Sequence, residues 1–341
     1  MQVSIIGIDL AKNVFQVAAL NRANKKVMNK AVRRAKLLDT VRQFEPTVLA
    51  MEACGSAHYW ARQFRAMGHE VRLIPPQHVK PFVRINKTDA ADALAICEAA
   101  QRPNIRFVTV KSVEQQDLRL INQRRTRLVR QRTATVNQIR GFAREYGVCF
   151  PVGYKALLKA LPETLEQHDH ELTPIARQVL FDLFEEVLEI SEKIDRLRDQ
   201  LATLTKHNAR CQDLLSVPAF GPLVSASFIA GVGDGSQFTN GRQCAAWLGL
   251  VPRMHGSGGK TNVLSITKNG DRELRTMLIH GARAVVRWAH RRDDALGRWV
   301  MQLKARRGTN KTVVALANKL ARIAWAVVAK NEPFDINKAF A

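Results

Sequence analysis

The sequence predicts an α/β domain at the N-terminus, followed by a long helical segment and a mostly α-helical C-terminal part. Two observations lead to this prediction. Residues 1–111 alternate short apolar runs rich in Val and Ile with amphipathic stretches, as in helices packed on a sheet. Beyond them, helical periodicity continues over long stretches without a helix breaker. We therefore expect an α/β domain over 1–115, a basic helix with a coiled coil over 116–206, and a helical domain over 207–341.

The elements of the first region follow the order βββαβαβα. Gly68 is a good position to end the second helix, and two prolines stop the last strand. The predicted strands are VSIIGIDLA, VFQVAALN, KVMNKAV, TVLAMEAC and EVRLIPP, and the predicted helices are residues 36–44, AHYWARQFRAMG and the alanine-rich segment Asn86–Ile96. A short turn after the first strand and helical crossovers later in the chain indicate a mixed sheet with helices packed on it.

A long basic helix is predicted over Asp117–Glu145. The segment contains eight arginines and two acidic residues, and no helix breaker precedes Gly141. A solvated helix face normally mixes the two signs of charge, so this one-sided charge favours contact with nucleic-acid phosphates. The predicted contact residues are Arg124, Arg125, Arg127, Arg130 and Arg132, together with Lys260 later in the chain.

A second long helix is predicted over residues 174–205. Its apolar residues are spaced alternately by four and three positions, which is the a/d pattern of a coiled coil. They are Leu183, Val187, Ile190, Ile194, Leu197, Leu201 and Leu204. The flanking positions are acidic, so this helix should meet a partner helix rather than DNA. That partner is either the basic helix or another copy of the chain, and the second alternative predicts a dimer or tetramer.

The third region begins with LLSVPAFGPLVSASFIAGVGD, which predicts two helices joined by a turn containing Pro218 and Gly221. This pattern fits a helix-hairpin-helix, whose turn offers backbone N–H groups to a phosphate, and it also fits a plain pair of helices. A glycine-rich loop, PRMHGSGGKTNV, and two more helices follow. Between Arg242 and Lys330 there are eighteen Lys and Arg residues and four acidic residues, so this region is strongly basic.

The composition favours a polyanionic partner. The net charge is +23 and the pI is near 10.5, values typical of proteins that bind nucleic acid or an anionic membrane. The most apolar stretch is interrupted by Lys319 and Arg322, so no membrane span is expected. The start lacks the pattern of a signal peptide, and the five widely spaced cysteines indicate neither a disulfide framework nor a zinc site. We expect a cytoplasmic protein.

Four carboxylates stand out in the first region, which has only eight acidic residues. Asp9 and Glu52 each end a predicted buried strand, where an unpaired charge is costly. Asp89 and Asp92 are three residues apart on a predicted helix, about 5–6 Å from each other, where like charges repel. A solvated helix face and a strand-end turn are the simpler explanations. If the four residues converge, however, divalent cations are needed to neutralise them, and Mg²⁺ prefers such oxygen ligands.

These segments resemble a known family. IGIDLAK, AMEACGS and NKTDAADALAI are similar to the catalytic segments of bridge-RNA-guided insertion-sequence transposases, the DEDD recombinases related to Piv-type DNA invertases. The resemblance extends over essentially the whole chain and includes SVPAFGPLVSASFIAGVGD and AAWLGLVPRMHGSG in the C-terminal part. It implies a RuvC-like ribonuclease H fold at the N-terminus, a coiled-coil middle and a C-terminal transposase domain. The family's acidic tetrad falls on Asp9, Glu52, Asp89 and Asp92.

The resemblance also implies a catalytic serine after a GL-x-P-R segment, which falls on Ser257 in this chain. Gly256, Gly258 and Gly259 would let a phosphate backbone approach closely, and Lys260 would offset developing negative charge. His255 is left outside the predicted catalytic set. The implied activity is Mg²⁺-dependent cutting and rejoining of double-stranded DNA, guided by a structured non-coding RNA. Such a recombinase belongs in the bacterial cytoplasm, associated with the nucleoid.

Two other functions remain open from the sequence. A Holliday-junction resolvase-like metal-dependent nuclease would share the four acidic residues but use water as its nucleophile. A DNA- or RNA-binding architectural protein with a decayed site would need neither the metal nor the serine.

Overall fold

The computed structural model describes residues 2–83, 88–167 and 171–341. Asn86 and Lys87, the first two residues of the alanine-rich segment, lie outside the described residues. The chain divides into two compact units, Met1–Ser112 and Val113–Ala341. The first boundary lies three residues before the predicted one. The predicted second boundary, near residue 206, falls inside the second unit.

The first unit contains a five-stranded mixed sheet with strand order β3-β2-β1-β4-β5. The strands are β1 (Val3–Asp9), β2 (Val14–Asn21), β3 (Lys26–Arg33), β4 (Val48–Glu52) and β5 (Glu70–Ile74). The first three strands form an antiparallel meander, whereas β4 pairs in parallel with both β1 and β5. The predicted mixed α/β architecture is therefore confirmed.

Four helices accompany this sheet, and each face of the sheet has its own core. They are α1 (Leu37–Arg42), α2 (Ala57–Ala66), α3 (Pro76–Val79) and α4 (Asp89–Ala100). Ile6 and Ile8 of β1 point to the face where Trp60 and Phe64 of α2 are buried. Ile5 points to the other face, which α4 covers. This division follows from the two-residue periodicity of the strands.

The second unit is mostly helical. Its helices are α5 (Val113–Glu145), α6 (Tyr154–Glu166), α7 (Pro174–His207), α8 (Ala209–Leu215), α9 (Pro222–Val232), α10 (Gly241–Trp247), α11 (Arg272–Trp288), α12 (Ala295–Arg307), α13 (Thr309–Lys330) and α14 (Ile336–Phe340). The two predicted long helices are present as α5 and α7. The sequence analysis missed α6, which contains Pro162. The predicted glycine-rich loop is instead a hairpin of strands β6 (Pro252–Ser257) and β7 (Lys260–Ile266).

The a/d residues of α7 form an apolar seam that packs against α5. Helix α5 is one of the two partners that the sequence left open. Ile190 and Ile194 form a small core with Leu128 of α5. Val187 and Leu201 are also buried, whereas Leu204 at the end of the seam is 41% exposed. The basic and acidic helices are thus neighbours within one chain.

The middle and C-terminal regions, predicted as separate domains, form one compact unit. Helix α9 packs against both α5 and α7, and the Gln115 side-chain amide donates a hydrogen bond to the Ile229 carbonyl at 3.0 Å. The long helices therefore supply part of the wall of the C-terminal core, which explains why the chain does not divide near residue 206.

Helix α13 is long and apolar enough, by length and composition alone, to cross a membrane. Its apolar side lies in the core of the second unit, where Leu316, Leu320 and Ala324 are fully buried. Such burial is typical of a core helix.

Candidate functional site

Two of the predicted acidic residues lie at the same edge of the sheet. Because β1 and β4 are parallel neighbours, their carboxyl ends lie at the same edge. Ile8 pairs with Met51, and each is followed directly by an acidic residue, Asp9 on β1 and Glu52 on β4. Both side chains are half-buried.

The other two predicted acids lie in the first turn of α4. Thr88 is the N-cap residue, and its hydroxyl oxygen accepts a hydrogen bond from the Ala91 N–H at 3.2 Å. Asp89 and Asp92 follow immediately, so both carboxylates lie near the positive end of the helix dipole. This position offsets part of the repulsion between them.

Small residues bring α4 close to the sheet. Gly7 of β1 pairs with Ala18 of β2 on one side and with Ala50 of β4 on the other. A Cβ atom on Gly7 would lie 2.5 Å from the Ala93 carbonyl oxygen and 2.6 Å from Cys97 Sγ. The helix therefore approaches β1 more closely than any larger residue at position 7 permits, which brings its first turn towards Asp9.

Two polar side chains also hold the start of α4. The Asn29 Nδ2 amide donates a hydrogen bond to the Ala90 carbonyl at 2.9 Å, and Gln16 Nε2 donates to Asn29 Oδ1 at 2.6 Å. The sequence analysis missed Gly7, Gln16 and Asn29. A glycine inside a buried strand signals close backbone approach, and polar residues in strands signal a partner.

The structure gathers Asp9, Asp89 and Asp92. Each offers one carboxylate oxygen, and these oxygens lie within 4.8 Å of one another. Asp92 Oδ1 is buried and has no hydrogen-bond partner among the described residues. A buried carboxylate oxygen without a partner is costly, and oxygen donors in this arrangement suit a hard divalent cation. The residues present therefore fit such an ion.

Glu52 lies outside that group of three but at the same edge of the sheet. Burial raises the pKa of the Cys54 thiol, and the negative charges of Glu52 and Asp9 raise this pKa further. Both carboxylates are thus close enough to act electrostatically on one side chain. The structure thus places Glu52 at the same sheet edge as Asp9, outside the group of three acids.

Ser257 belongs to the second unit and is exposed on the β6–β7 hairpin. Gly258 and Gly259 form the turn with φ of +56° and +78°, values that glycine adopts without strain. Ser257 lies directly opposite Lys260, and His255 lies opposite Asn262. Directly opposite residues share a face of the hairpin, and so do residues two apart on one strand. The hydroxyl, the ammonium and the imidazole thus share one face.

The arginines of α5 separate into two groups. Arg124 and Arg127 are exposed, and Arg130 contacts Glu273 at 3.4 Å. Arg125 and Arg132 are half-buried towards α7, where Arg132 Nη1 donates a hydrogen bond to Ser191 Oγ at 3.3 Å. Burial lowers the pKa of Arg125. Of the five arginines predicted to contact nucleic acid, Arg124, Arg127 and Arg130 are therefore exposed and the other two are half-buried.

A group of carboxylates that fits a divalent cation, in a chain with a net charge of +23, suits an enzyme that acts on nucleic acid. A transposase model for the IS110-type DEDD proteins matches residues 6–148, and a model described as the transposase IS116/IS110/IS902 family matches residues 211–296. The matched segments include Asp9, Glu52, Asp89, Asp92 and Ser257.

Relatives of similar length support the same assignment. A probable family 20 transposase of Pseudomonas aeruginosa is 47% identical over 97% of this chain and 98% of its own length. The transposase for insertion sequence element IS1111A of Coxiella burnetii is 43% identical over 97% of this chain and 91% of its own length. A pilin gene-inverting protein of Moraxella bovis is 32% identical over 38% of this chain and 39% of its own length.

These similarities define the class of the protein as a transposase. The chain belongs to the IS110/IS116 family of insertion-sequence transposases.

Proposed function

We propose that this transposase cuts and rejoins DNA through attack by Ser257 on a phosphodiester, with Mg²⁺ held by Asp9, Glu52, Asp89 and Asp92. The observation that carries the proposal is the close approach of three carboxylates, one of which has a buried oxygen, Asp92 Oδ1, with no hydrogen-bond partner among the described residues. Without a cation this arrangement is costly, and with one it becomes a phosphate-binding centre.

We assign the first unit to the RuvC-like ribonuclease H type of fold. The strand order β3-β2-β1-β4-β5 supports the assignment, as do acidic residues at the carboxyl ends of β1 and β4. Helix α4 adds two more acids to that edge. In open α/β sheets, ligands bind beyond the carboxyl ends of the strands.

The four acids are held in two pairs. Asp9 and Glu52 are fixed by the pairing of β1 with β4, and Asp89 and Asp92 by the packing of α4 over Gly7. When bound there, Mg²⁺ would neutralise negative charge on the phosphate oxygens. The protein would hold the DNA backbone at the sheet edge, and Asp89, the most exposed of the three gathered acids, would lie nearest to solvent.

Ser257 would supply the nucleophile. Its Oγ would form a bond to phosphorus while the bond from phosphorus to one deoxyribose oxygen breaks. The hydroxyl proton would leave to a base or to solvent, and the leaving oxygen would take up a proton. Lys260, which lies opposite Ser257, would stabilise the added charge on the phosphate. The resulting phosphoserine keeps the bond energy for rejoining to a new DNA end.

Guidance by a structured RNA and assembly into a dimer or tetramer complete the proposal. The net charge of +23 and the exposed arginines of α5 support binding to more than one nucleic-acid strand. The acids lie in the first unit and the serine in the second, so the proposal requires both to act on one phosphate in the assembled complex.

The test is whether Ser257→Ala abolishes covalent protein–DNA adducts. The protein, co-expressed with the RNA encoded beside its gene, is incubated with Mg²⁺ and DNA carrying the element ends, and adducts are detected on denaturing gels. We expect adducts from the native protein and none from Ser257→Ala, because alanine has no nucleophilic oxygen. Ser265→Ala is the matched control, since Ser265 is an exposed serine on the same hairpin.

The same assay separates the proposal from a resolvase-like nuclease. Continued Mg²⁺-dependent cutting by Ser257→Ala, without an adduct, would show that water is the nucleophile. Sequencing the RNA that copurifies tests guidance, and recovery of unrelated cellular RNA alone would contradict it.

A further inference from the structure

Trp288 is an exposed aromatic residue at the end of a helix that is otherwise anchored in the core. Helix α11 buries one apolar stripe, Leu274, Leu278, Ala282 and Val286. Ala289, which follows Trp288, is fully buried. The backbone on both sides of Trp288 is thus fixed, while its side chain remains 47% exposed.

The other four tryptophans are used differently. Trp60 and Trp325 are buried, and Trp247 and Trp299 are half-buried against hydrophobic cores. A single exposed apolar side chain is common on protein surfaces and indicates nothing alone. The surroundings of Trp288 are what distinguish it.

Two arginine side chains lie over the Trp288 ring. The Arg291 guanidinium carbon lies 4.4 Å from the ring centroid, and that of Arg287 lies 5.6 Å away. The His290 ring centroid is 6.2 Å from it. Arg283, one turn earlier on α11, is also exposed.

Within the part of the chain that the structure describes, no ion pair joins Arg283, Arg287 or Arg291 to an acidic side chain, whereas Arg292 pairs with Asp294. Guanidinium groups held close together repel one another unless an anion binds. Phosphate is the anion that arginines bind most readily in a protein acting on DNA.

We propose that Trp288 with Arg283, Arg287 and Arg291 forms a binding site for an unpaired segment of DNA. The indole stacks on a nucleobase, and the arginines bind the phosphates on either side of it. An exposed aromatic ring bordered by cations is the arrangement by which proteins bind single strands, since every base offers a π-face while a duplex hides it. Cutting and rejoining of DNA exposes such unpaired segments.

The site rests on the proposed action on DNA, but it requires neither Ser257 nor the acidic residues. It is measured as binding without Mg²⁺ and without cleavage. Its failure is therefore distinguishable from a failure of the proposed mechanism.

The experiment measures the affinity of the full-length protein for a labelled oligothymidylate of about 12 nucleotides, a length that such sites cover. We expect Trp288→Ala to weaken binding about 5- to 150-fold, as for the loss of one stacked base. Trp288→Phe should retain most of the affinity because phenylalanine still stacks. Binding should also quench the tryptophan fluorescence of the native protein, and less so that of Trp288→Phe.

Arg291→Gln separates the charge contribution from stacking. It should lower the slope of log affinity against log salt concentration by about 0.7, because one phosphate contact is lost. Phe181→Ala and Arg196→Gln are the matched controls, an exposed aromatic residue and an exposed arginine on the acidic helix α7. Neither should change the affinity.

Three results would overturn the proposal. Trp288→Ala could bind the single strand as tightly as the native protein. It could weaken binding to a blunt duplex of the same length by the same factor, which would exclude stacking on an unpaired base. Finally, Trp288 could be required for a single-stranded RNA of the same sequence and not for the DNA.

Discussion

At the scale of single residues, the surroundings of Asp92 give the strongest indication of a cation site. Its Oδ1 is buried and lacks a hydrogen-bond partner among the described residues, and its neighbours at the site include two more carboxylates. Asp92 is thus expected to lower the free energy of unfolding of the metal-free protein and to stabilise the fold only once a cation binds.

Asp92→Asn should therefore separate stability from metal binding. Without Mg²⁺, the variant should be at least as stable as the native protein, because the repulsion from Asp89, worth about 0.2–0.5 kcal/mol for helical neighbours, is removed. With Mg²⁺ at about 100 times the native Kd, the native protein should gain about 2.7 kcal/mol and the variant much less. Thermal unfolding with and without Mg²⁺ measures both effects.

Asp39→Asn is the control for this prediction. Asp39, on α1, is an exposed acid of the same unit and pairs with Lys36 and Arg42. The Asp39→Asn variant should show the same Mg²⁺-dependent shift in Tm as the native protein. An equal shift in the native protein and Asp92→Asn would contradict the assignment of Asp92 as a ligand.

At the scale of elements, the contact between α4 and β1 sets the geometry of the site. Gly7→Ala would place a methyl group against backbone and a buried sulfur, at distances that real structures essentially never show. Overpacking of this kind costs about 1–3 kcal/mol of the free energy of unfolding. Since α4 must then move away from β1, the Mg²⁺ affinity should fall as well.

Denaturant unfolding and Mg²⁺ titration of Gly7→Ala measure the two effects. Gly55→Ala is the control, because a Cβ at Gly55 would meet nothing within 4 Å. It should change neither quantity. A fully stable Gly7→Ala with native Mg²⁺ affinity would show that α4 does not need this close approach.

Some of these elements could be predicted from the sequence and others could not, for physical reasons. The buried strands and their terminal acids, Asp9 and Glu52, could be predicted because a charged residue at the end of an apolar run is unusual. Helix α6 was not predicted because Pro162 interrupts its pattern. A proline inside a helix costs about 3 kcal/mol, and burial of Leu157 and Leu161 in a hydrophobic core offsets this cost. The β6–β7 hairpin has exposed residues on both faces, so it lacks the alternation that identifies a strand.

The seam of α7 shows a second limit. A heptad pattern indicates that a helix has a partner, but it does not identify the partner, because Leu128 of α5 and an equivalent helix of another chain offer the same apolar surface. For the same reason, the sequence could not show that Arg125 and Arg132 would be half-buried towards α7 and that Arg124 would be exposed.

At the scale of the whole molecule, the two units have separate hydrophobic cores. The cores on the two faces of the sheet contain residues of the first unit alone, and the largest core contains residues of the second unit alone. The groups proposed to hold the cation all lie in the first unit, whereas Ser257 and Trp288 lie in the second.

A fragment of residues 1–112 should therefore fold by itself and retain the Mg²⁺-dependent increase in Tm. It should not form covalent adducts with DNA, since it lacks Ser257. Calorimetry of the fragment and of the full chain measures this, with the Asp92→Asn fragment as the control that loses the increase. A fragment that shows no cooperative transition would contradict the independence of the first core.

The trio Ala18, Gly7 and Ala50 beneath α4 has a consequence for the choice of ion. Calcium binds its oxygen ligands at longer distances than magnesium does, about 2.3–2.6 Å rather than about 2.0–2.1 Å. In the proposed site, the small buried residues under the helix would therefore set how large a coordination sphere the carboxylates can form. Selectivity between these two metals would then depend on buried methyl groups as well as on the charged side chains themselves.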